Sequence, residues 1–292
     1  MMAVKVLRQK HLLNLPPWEA DSLLQLSCNK EKAYILAHPE YRLTFRQLVF
    51  FYYLLFQFKC GVPLAYLAHR KEFFGLDFYV DRRVLVPRPE TELMVEEALK
   101  FINADTTSEN ILIDIGTGSG CVSVAIAKNT DKKINIFASD ISRAALRVAK
   151  MNAKKHNVNI QFIHRSLLEP IIRHPDRAIS EWRDPSTSFG MTNTKIVITA
   201  NLPYLTNEQF INELSIQHEP KTALVASENG LALYRQLLEQ MKQLNRPLTA
   251  LLEFDPRQTE ELKKMIYEIL PAATTEIKTD LAGRDRLVVV KV

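Results

Sequence analysis

The chain has 292 residues, 47% hydrophobic and 24% charged, with a formal net charge of +5 and an isoelectric point near 9.0. That length suits one large domain plus a small one in a globular protein, and the basic balance permits a nucleic-acid or ribonucleoprotein partner without requiring one. No apolar run reaches the roughly 18 residues of a membrane span. The cysteines Cys28, Cys60 and Cys121 form no C-x-x-C pair, and the histidines show no H-E-x-x-H spacing, which argues against a membrane anchor, a disulfide framework and a zinc site.

From about residue 4 to 75 the apolar spacing is helical, with Thr44-x-x-Gln47 as a capping box opening a long helix over Phe45–Phe58 and Gly61-Val62-Pro63 ending it. Phe73–Val86 reads as two short strands around an Asp81-Arg82-Arg83 turn. This divides the chain into a helical domain over 1–72, a β-hairpin linker over 73–88 and an α/β domain over 89–292. In the last, strands at Ile111–Ile115, Ile134–Ser139, Ile160–His164, Lys195–Ala200 and Leu248–Glu253 alternate with helices, two of them expected over Ser119–Lys128 and Asn207–Ser215. Such alternation predicts a parallel sheet covered on both faces. The last two strands, Thr274–Thr279 and Arg286–Val292, have no helix between them, so one should run antiparallel. The aperiodic stretch over 173–194 reads as an inserted surface loop. The three thiols are expected to be free and buried.

Two constellations carry chemistry. Asp114-Ile-Gly116-Thr117-Gly118-Ser119-Gly120 joins a strand to a helix, and the next strand ends at Asp140. Glycines let the backbone turn sharply beside a ligand, and a carboxylate at that spacing suits ribose hydroxyls, although Asp140 also suits a helix N-cap. Together they indicate an adenosyl-containing ligand without separating a nicotinamide cofactor from S-adenosylmethionine. Asn201-Leu202-Pro203-Tyr204 follows the fourth strand. The Asn201 amide oxygen can accept a substrate N–H. Pro203 favours an extended Leu202 that can aim its carbonyl outward as a second acceptor, and Tyr204 offers an aromatic wall. Two fixed acceptors orient a delocalised, weakly nucleophilic amide nitrogen and stabilise the charge that develops as it attacks a methyl group.

These residues resemble the bacterial HemK/PrmC family. The similarity runs through Gly61-Val-Pro63-Leu-Ala-Tyr66, Glu72-Phe73-Phe-Gly75, Val84 to Glu92 (VLVPRPETE), Asp114–Gly120, Glu219-Pro220, Gly230-Leu231, Tyr234-Arg235 and Asp280 to Arg286 (DLAGRDR). The resemblance implies a seven-stranded Rossmann-like class I S-adenosylmethionine-dependent methyltransferase domain behind a helical, partner-binding domain of about five helices. It further implies N5-methylation of the glutamine in the Gly-Gly-Gln motif of class 1 peptide-chain release factors. By the same resemblance Gly116, Thr117, Gly118, Ser119 and Gly120 form the cofactor loop, Asp140 binds the ribose, and Asn201 with the Leu202 carbonyl holds the glutamine amide beside Pro203 and Tyr204. Arg88 and Glu92 should lie near the pocket mouth, either touching substrate or forming a helix-start ion pair.

The chain departs from the family in places. Leu202 replaces the first proline of Asn-Pro-Pro-Tyr, Arg165-Ser166-Leu167 stands where the family has an aspartate and an aromatic residue near the adenine, and Leu252-Glu253-Phe254-Asp255 varies the usual Glu-Ile-Gly. Competing readings are an adenine-N6 methyltransferase acting on rRNA or DNA, a ribosomal-protein glutamine methyltransferase, and a non-catalytic adaptor. The expected state is a cytoplasmic monomer with no stable nucleic-acid partner and no membrane association.

Overall fold

The computed structural model describes residues 2–12, 14–104, 109–169, 194–244 and 246–292. Apart from residue 194, the expected insertion lies outside the described residues. Backbone contacts divide the chain into two units, Met1–Arg70 with Leu214–His218, and Lys71–Glu213 with Glu219–Val292.

The first unit is built from helices α1 (Val4–His11), α2 (Pro17–Cys28), α3 (Lys32–Ala37), α4 (Phe45–Lys59) and α5 (Leu64–Ala68). Thr44 opens α4 as its sequence requires: the Gln47 N–H donates to the Thr44 hydroxyl at 3.3 Å, and the Thr44 N–H donates to Gln47 Oε1 at 2.9 Å. The same Gln47 side chain donates to the Cys28 carbonyl at 3.1 Å and ties α4 to the end of α2. Val4, Leu7, Leu23, Leu24, Ile35, Leu43 and Phe51 are fully enclosed between these helices, each such burial contributing about 2 kcal/mol. Asp21, almost wholly buried, is compensated by ion pairs to Arg8 and to Lys32. Cys28 is buried as expected, but Cys60 caps the exposed end of α4 and is itself exposed.

The second unit starts with a β-hairpin of β1 (Lys71–Phe73) and β2 (Leu76–Phe78). This corrects the expected hairpin, which was centred on Asp81-Arg82-Arg83. The turn is Phe74-Gly75, both with positive φ (51° and 69°), the backbone that a two-residue hairpin loop requires. Asp81 instead closes a local turn by accepting from the Arg83 N–H at 3.0 Å.

Helix α6 (Glu92–Asn103) leads into β3 (Glu109–Ile115), α7 (Cys121–Asn129), β4 (Ile134–Asp140), α8 (Arg143–Lys155), β5 (Gln161–His164) and β6 (Thr194–Asn201). Then follow α9 (Asn207–Asn212), α10 (Ala232–Leu244), β7 (Leu248–Glu253), α11 (Thr259–Ile269), β8 (Thr274–Thr279) and β9 (Asp285–Lys291). The seven-stranded sheet has the order β5-β4-β3-β6-β7-β9-β8, parallel except for β9. Alternate β3 residues face opposite cores: Ile111, Ile113 and Ile115 pack with α10 and α11, and Leu112 packs with α6 and α7. Helix α7 begins two residues later than expected because Gly120 takes a left-handed φ of 79°. Helix α9 stops at Asn212, short of the expected Ser215, and the following Leu214–His218 groups with the first unit. Among the described residues no helix is long and apolar enough to cross a membrane.

Candidate active site

In a sheet of this order the chain runs from β3 toward β4 but from the adjacent β6 toward β7, in opposite directions, so a crevice opens beyond the carboxyl ends of β3 and β6. The glycine turn sits there. The N–H groups of Gly116 and Thr117 both donate to the Ser139 carbonyl at 2.9 Å, pinning the turn to β4. Asp114 secures it from below, accepting from the Thr117 hydroxyl at 2.6 Å and from the Thr199 hydroxyl of β6 at 2.9 Å. Burial pushes the Asp114 carboxyl up, and these hydroxyls offset part of that shift.

At the end of β4, Asp140 accepts from the Gly118 N–H at 2.9 Å through Oδ2 and from the Ser142 N–H at 2.7 Å through Oδ1. Ser142, not Asp140, caps α8, its hydroxyl accepting from the Ala145 N–H at 3.1 Å. Asp140 is largely buried, which raises its carboxyl, while the two N–H donors favour the charge. Each oxygen keeps a lone pair for a further donor.

Across the crevice, Asn201 ends β6 in register with Glu253 at the end of β7. Its Nδ2 donates to the Thr91 hydroxyl at 3.1 Å. Asn201, Arg88, Thr91 and the Gly116–Ser119 turn line one cleft. Leu202 is buried, with a methyl group that packs over Gly116. Its carbonyl faces the buried Tyr234 hydroxyl at 3.2 Å, and that hydroxyl also makes a shorter contact to the Glu253 carbonyl. One phenolic proton therefore serves two carbonyls, and Leu202 keeps a lone pair. Tyr204 is half-buried, its phenol held well above the ordinary range by burial and then by Glu253. Its backbone is fixed from behind: the Tyr204 carbonyl accepts from Gln258 Nε2 at 3.0 Å, and a Cβ on Gly230 (φ 87°) would lie 2.0 Å from that carbonyl.

The structure thus brings Gly116–Gly120, Asp140 and Asn201–Tyr204 to one end of the sheet. Arg88 lines the cleft and pairs with the buried Glu219 carboxylate at 2.5 Å. Glu92 accepts from the Phe74 N–H at 2.8 Å and tethers the hairpin turn. Leu167 is buried in the core beside the sheet with a left-handed φ of 48° and is not among the cleft-lining residues. Two residues at the site were not singled out from the sequence as site residues: Thr91 and Glu253. Each follows or ends an element, but only the pairing of β6 with β7 shows that Glu253 sits beside Asn201.

The donor set fits an adenosyl ligand. Asp140 offers free lone pairs on a buried carboxylate, and a Cβ at Gly118 (φ 55°) would meet no atom closer than the Gly116 carbonyl oxygen at 3.9 Å. Sheet order, glycine turn and strand-end acid together define a class I S-adenosylmethionine-dependent methyltransferase. The family model described as "Methyltransferase small domain" matches residues 91–181. A release factor glutamine methyltransferase of Enterococcus faecalis is 34% identical, covering 80% of this chain and 78% of its own. One of Coxiella burnetii is 32% identical, covering 94% and 92% respectively. Among solved structures, the hMettl16 catalytic domain in complex with a MAT2A 3'UTR hairpin superposes with a TM-score of 0.51 over 75% of each chain. At 16% identity that likeness shows the fold alone. The chain belongs to the release factor glutamine methyltransferase family.

Proposed function

We propose that the chain methylates the side-chain amide nitrogen, N5, of the glutamine in the Gly-Gly-Gln motif of a class 1 peptide-chain release factor. The observation that carries this reading is Asn201, in a cleft with the glycine turn and donating its N–H to Thr91, an arrangement that leaves its Oδ1 for a substrate N–H. Bound S-adenosylmethionine supplies a methyl group already activated by its sulfonium. The rest falls to the protein. Gly116–Gly120 and Asp140 hold the donor, with Asn201 bordering it; Leu167, enclosed in the core, is not assigned to it. Asn201 Oδ1 and the Leu202 carbonyl accept the two amide hydrogens, which orients the nitrogen lone pair and stabilises its developing positive charge. Pro203 and Tyr204 wall the acceptor side, and Tyr204 stays a neutral phenol at any physiological pH.

Arg88 is assigned to the rim of the cleft. Glu92 is assigned to positioning the hairpin rather than to substrate. The helical part, residues 1–72, is the partner-docking domain, 73–88 the linker, and 89–292 the catalytic domain. The protein acts as a cytoplasmic monomer with no stable nucleic-acid or membrane partner. The test is transfer of labelled methyl to a release factor, to its Gly-Gly-Ala variant, and to rRNA. Label on the release factor alone is expected; label on rRNA with none on the release factor would replace this reading with adenine methylation.

A further inference from the structure

Glu253 is a buried carboxyl that neither the donor site nor the amide clamp uses. It ends β7 in register with Asn201 and is 2% exposed. Its Oε2 has no hydrogen-bond partner among the described residues. The Thr91 hydroxyl and the Asn201 amide both lie close enough to favour its charged form. Thr91, itself buried, accepts from Asn201 Nδ2 at 3.1 Å.

The chemistry of these three groups is unequal. An amide presents an oxygen or an NH2 of nearly equal size, so only the polarity of its neighbours decides which way round it sits. A hydroxyl can serve either end, because it both donates and accepts. A carboxylate only accepts. We propose that Glu253 is a positioning residue that takes the single Thr91 proton, leaving Thr91 only lone pairs to offer, and so holds Asn201 with its NH2 inward and its Oδ1 toward the cleft. This rests on the reading of Asn201 as the substrate clamp.

The relay reverses on protonation. A neutral Glu253 donates to Thr91, the Thr91 proton turns to Asn201, and Oδ1 is drawn inward. Burial pushes this carboxyl up to about 7, with Glu90 adding to the shift and Thr91, Arg286 and Asn201 opposing it. Among its neighbours, burial raises Tyr204 well above its ordinary range and Cys121 to about 12, and Arg286 is a guanidinium, so these three do not change charge near neutrality.

The experiment compares wild type with Thr91→Val, Glu253→Leu and Glu253→Gln. It measures kcat and KM for the release factor from acid to alkaline pH, the dissociation constant for S-adenosylmethionine, and Tm. Thr91→Val and Glu253→Leu should each lower kcat about tenfold or more, and their double variant should lose little beyond the worse single one. KM and cofactor affinity should stay within about threefold. Glu253→Gln, whose amide can turn its NH2 to Thr91 as a protonated carboxyl turns its O–H, should lower kcat at neutral and alkaline pH and lose the fall in activity that the relay predicts for wild type below about pH 7. In cofactor-free protein, the carboxyl carbon resonance of Glu253 should titrate at higher pH in Thr91→Val than in wild type.

Additive losses, a Glu253→Gln profile that keeps the acid limb, or a Glu253 titration that Thr91→Val leaves in place would each overturn the relay. Should Glu253→Leu fail to fold, Thr91→Val and Glu253→Gln carry the same decision. A wild-type protein that leaves the glutamine unmethylated would sink the substrate reading instead, and the resonance titration would still decide the hydrogen-bond polarity.

Discussion

Asn201, Asp140 and Gly230 show three ways a residue matters here. Asn201 acts through one amide oxygen, and Asn201→Ala should lower kcat about a hundredfold or more while leaving cofactor affinity within about threefold, as removal of a single transition-state hydrogen bond does elsewhere. Asp140 acts through lone pairs left over from the Gly118 and Ser142 N–H groups. Asp140→Ala should weaken S-adenosylmethionine binding about tenfold or more in calorimetry, and unchanged affinity would remove it from the cofactor site. Gly230 acts by having no side chain. A methyl group there meets the Tyr204 carbonyl at 2.0 Å, so Gly230→Ala should cost about 2 kcal/mol or more in urea unfolding. Asn201 and Asp140 are legible in the sequence because each directly ends a recognisable strand. Glu253 is just as plainly placed at a strand end, but its neighbour Asn201 is 52 positions away and only strand order brings them together. Glu92 is open to two readings in the sequence because nothing local reveals the Phe74 N–H it binds.

At the scale of elements, those with local signals are legible and those fixed by partners are not. Helix α4 is readable from Thr44 and Gln47, whose capping box is present on both sides. Thr44→Ala should cost about 1 kcal/mol, seen as earlier loss of helix in denaturant, and no change would mean that packing of Phe51, Leu54 and Leu55 alone sets where α4 starts. The hairpin is readable as a hairpin but misplaced. Asp-Arg-Arg looks like a turn, whereas the turn that forms needs a positive φ at Phe74, which side-chain type does not announce. The antiparallel β9 is legible because Asp280–Arg284 is too short for a crossover, and Asp280 organises that loop by accepting from the N–H groups of Ala282 and Arg284.

For the molecule as a whole, the buried Glu253 links activity to stability. Its carboxyl titrates near 7 in the folded protein against a usual 4.5. Between those values the folded state holds a proton that the unfolded state has released, so stability falls as pH rises through this window and levels off above it. The difference amounts to about 3 kcal/mol at most. Glu253→Gln should therefore be no less stable than wild type at pH 8, with the gap shrinking toward pH 5, in urea unfolding at the two pH values. A variant equally destabilised at both would mean that the carboxylate serves packing rather than polarity, whereas a stability gain joined to a changed pH profile is what a functional buried charge gives. The family and the sheet are readable from the chain because the glycine turn, the strand-end acid and Asn-Leu-Pro-Tyr follow one another in order, each at the end of a strand. The grouping of Leu214–His218 with the helical unit is not, since it depends on contacts far apart in sequence.

The most direct measurement is tandem mass spectrometry of a release factor incubated with S-adenosylmethionine and either the wild-type protein or Asn201→Ala. The expected result is one added methyl group on the side chain of the Gly-Gly-Gln glutamine with wild type and none above background with the variant. A methyl group on any other residue, or equal modification by Asn201→Ala, would contradict the amide clamp on which the account rests.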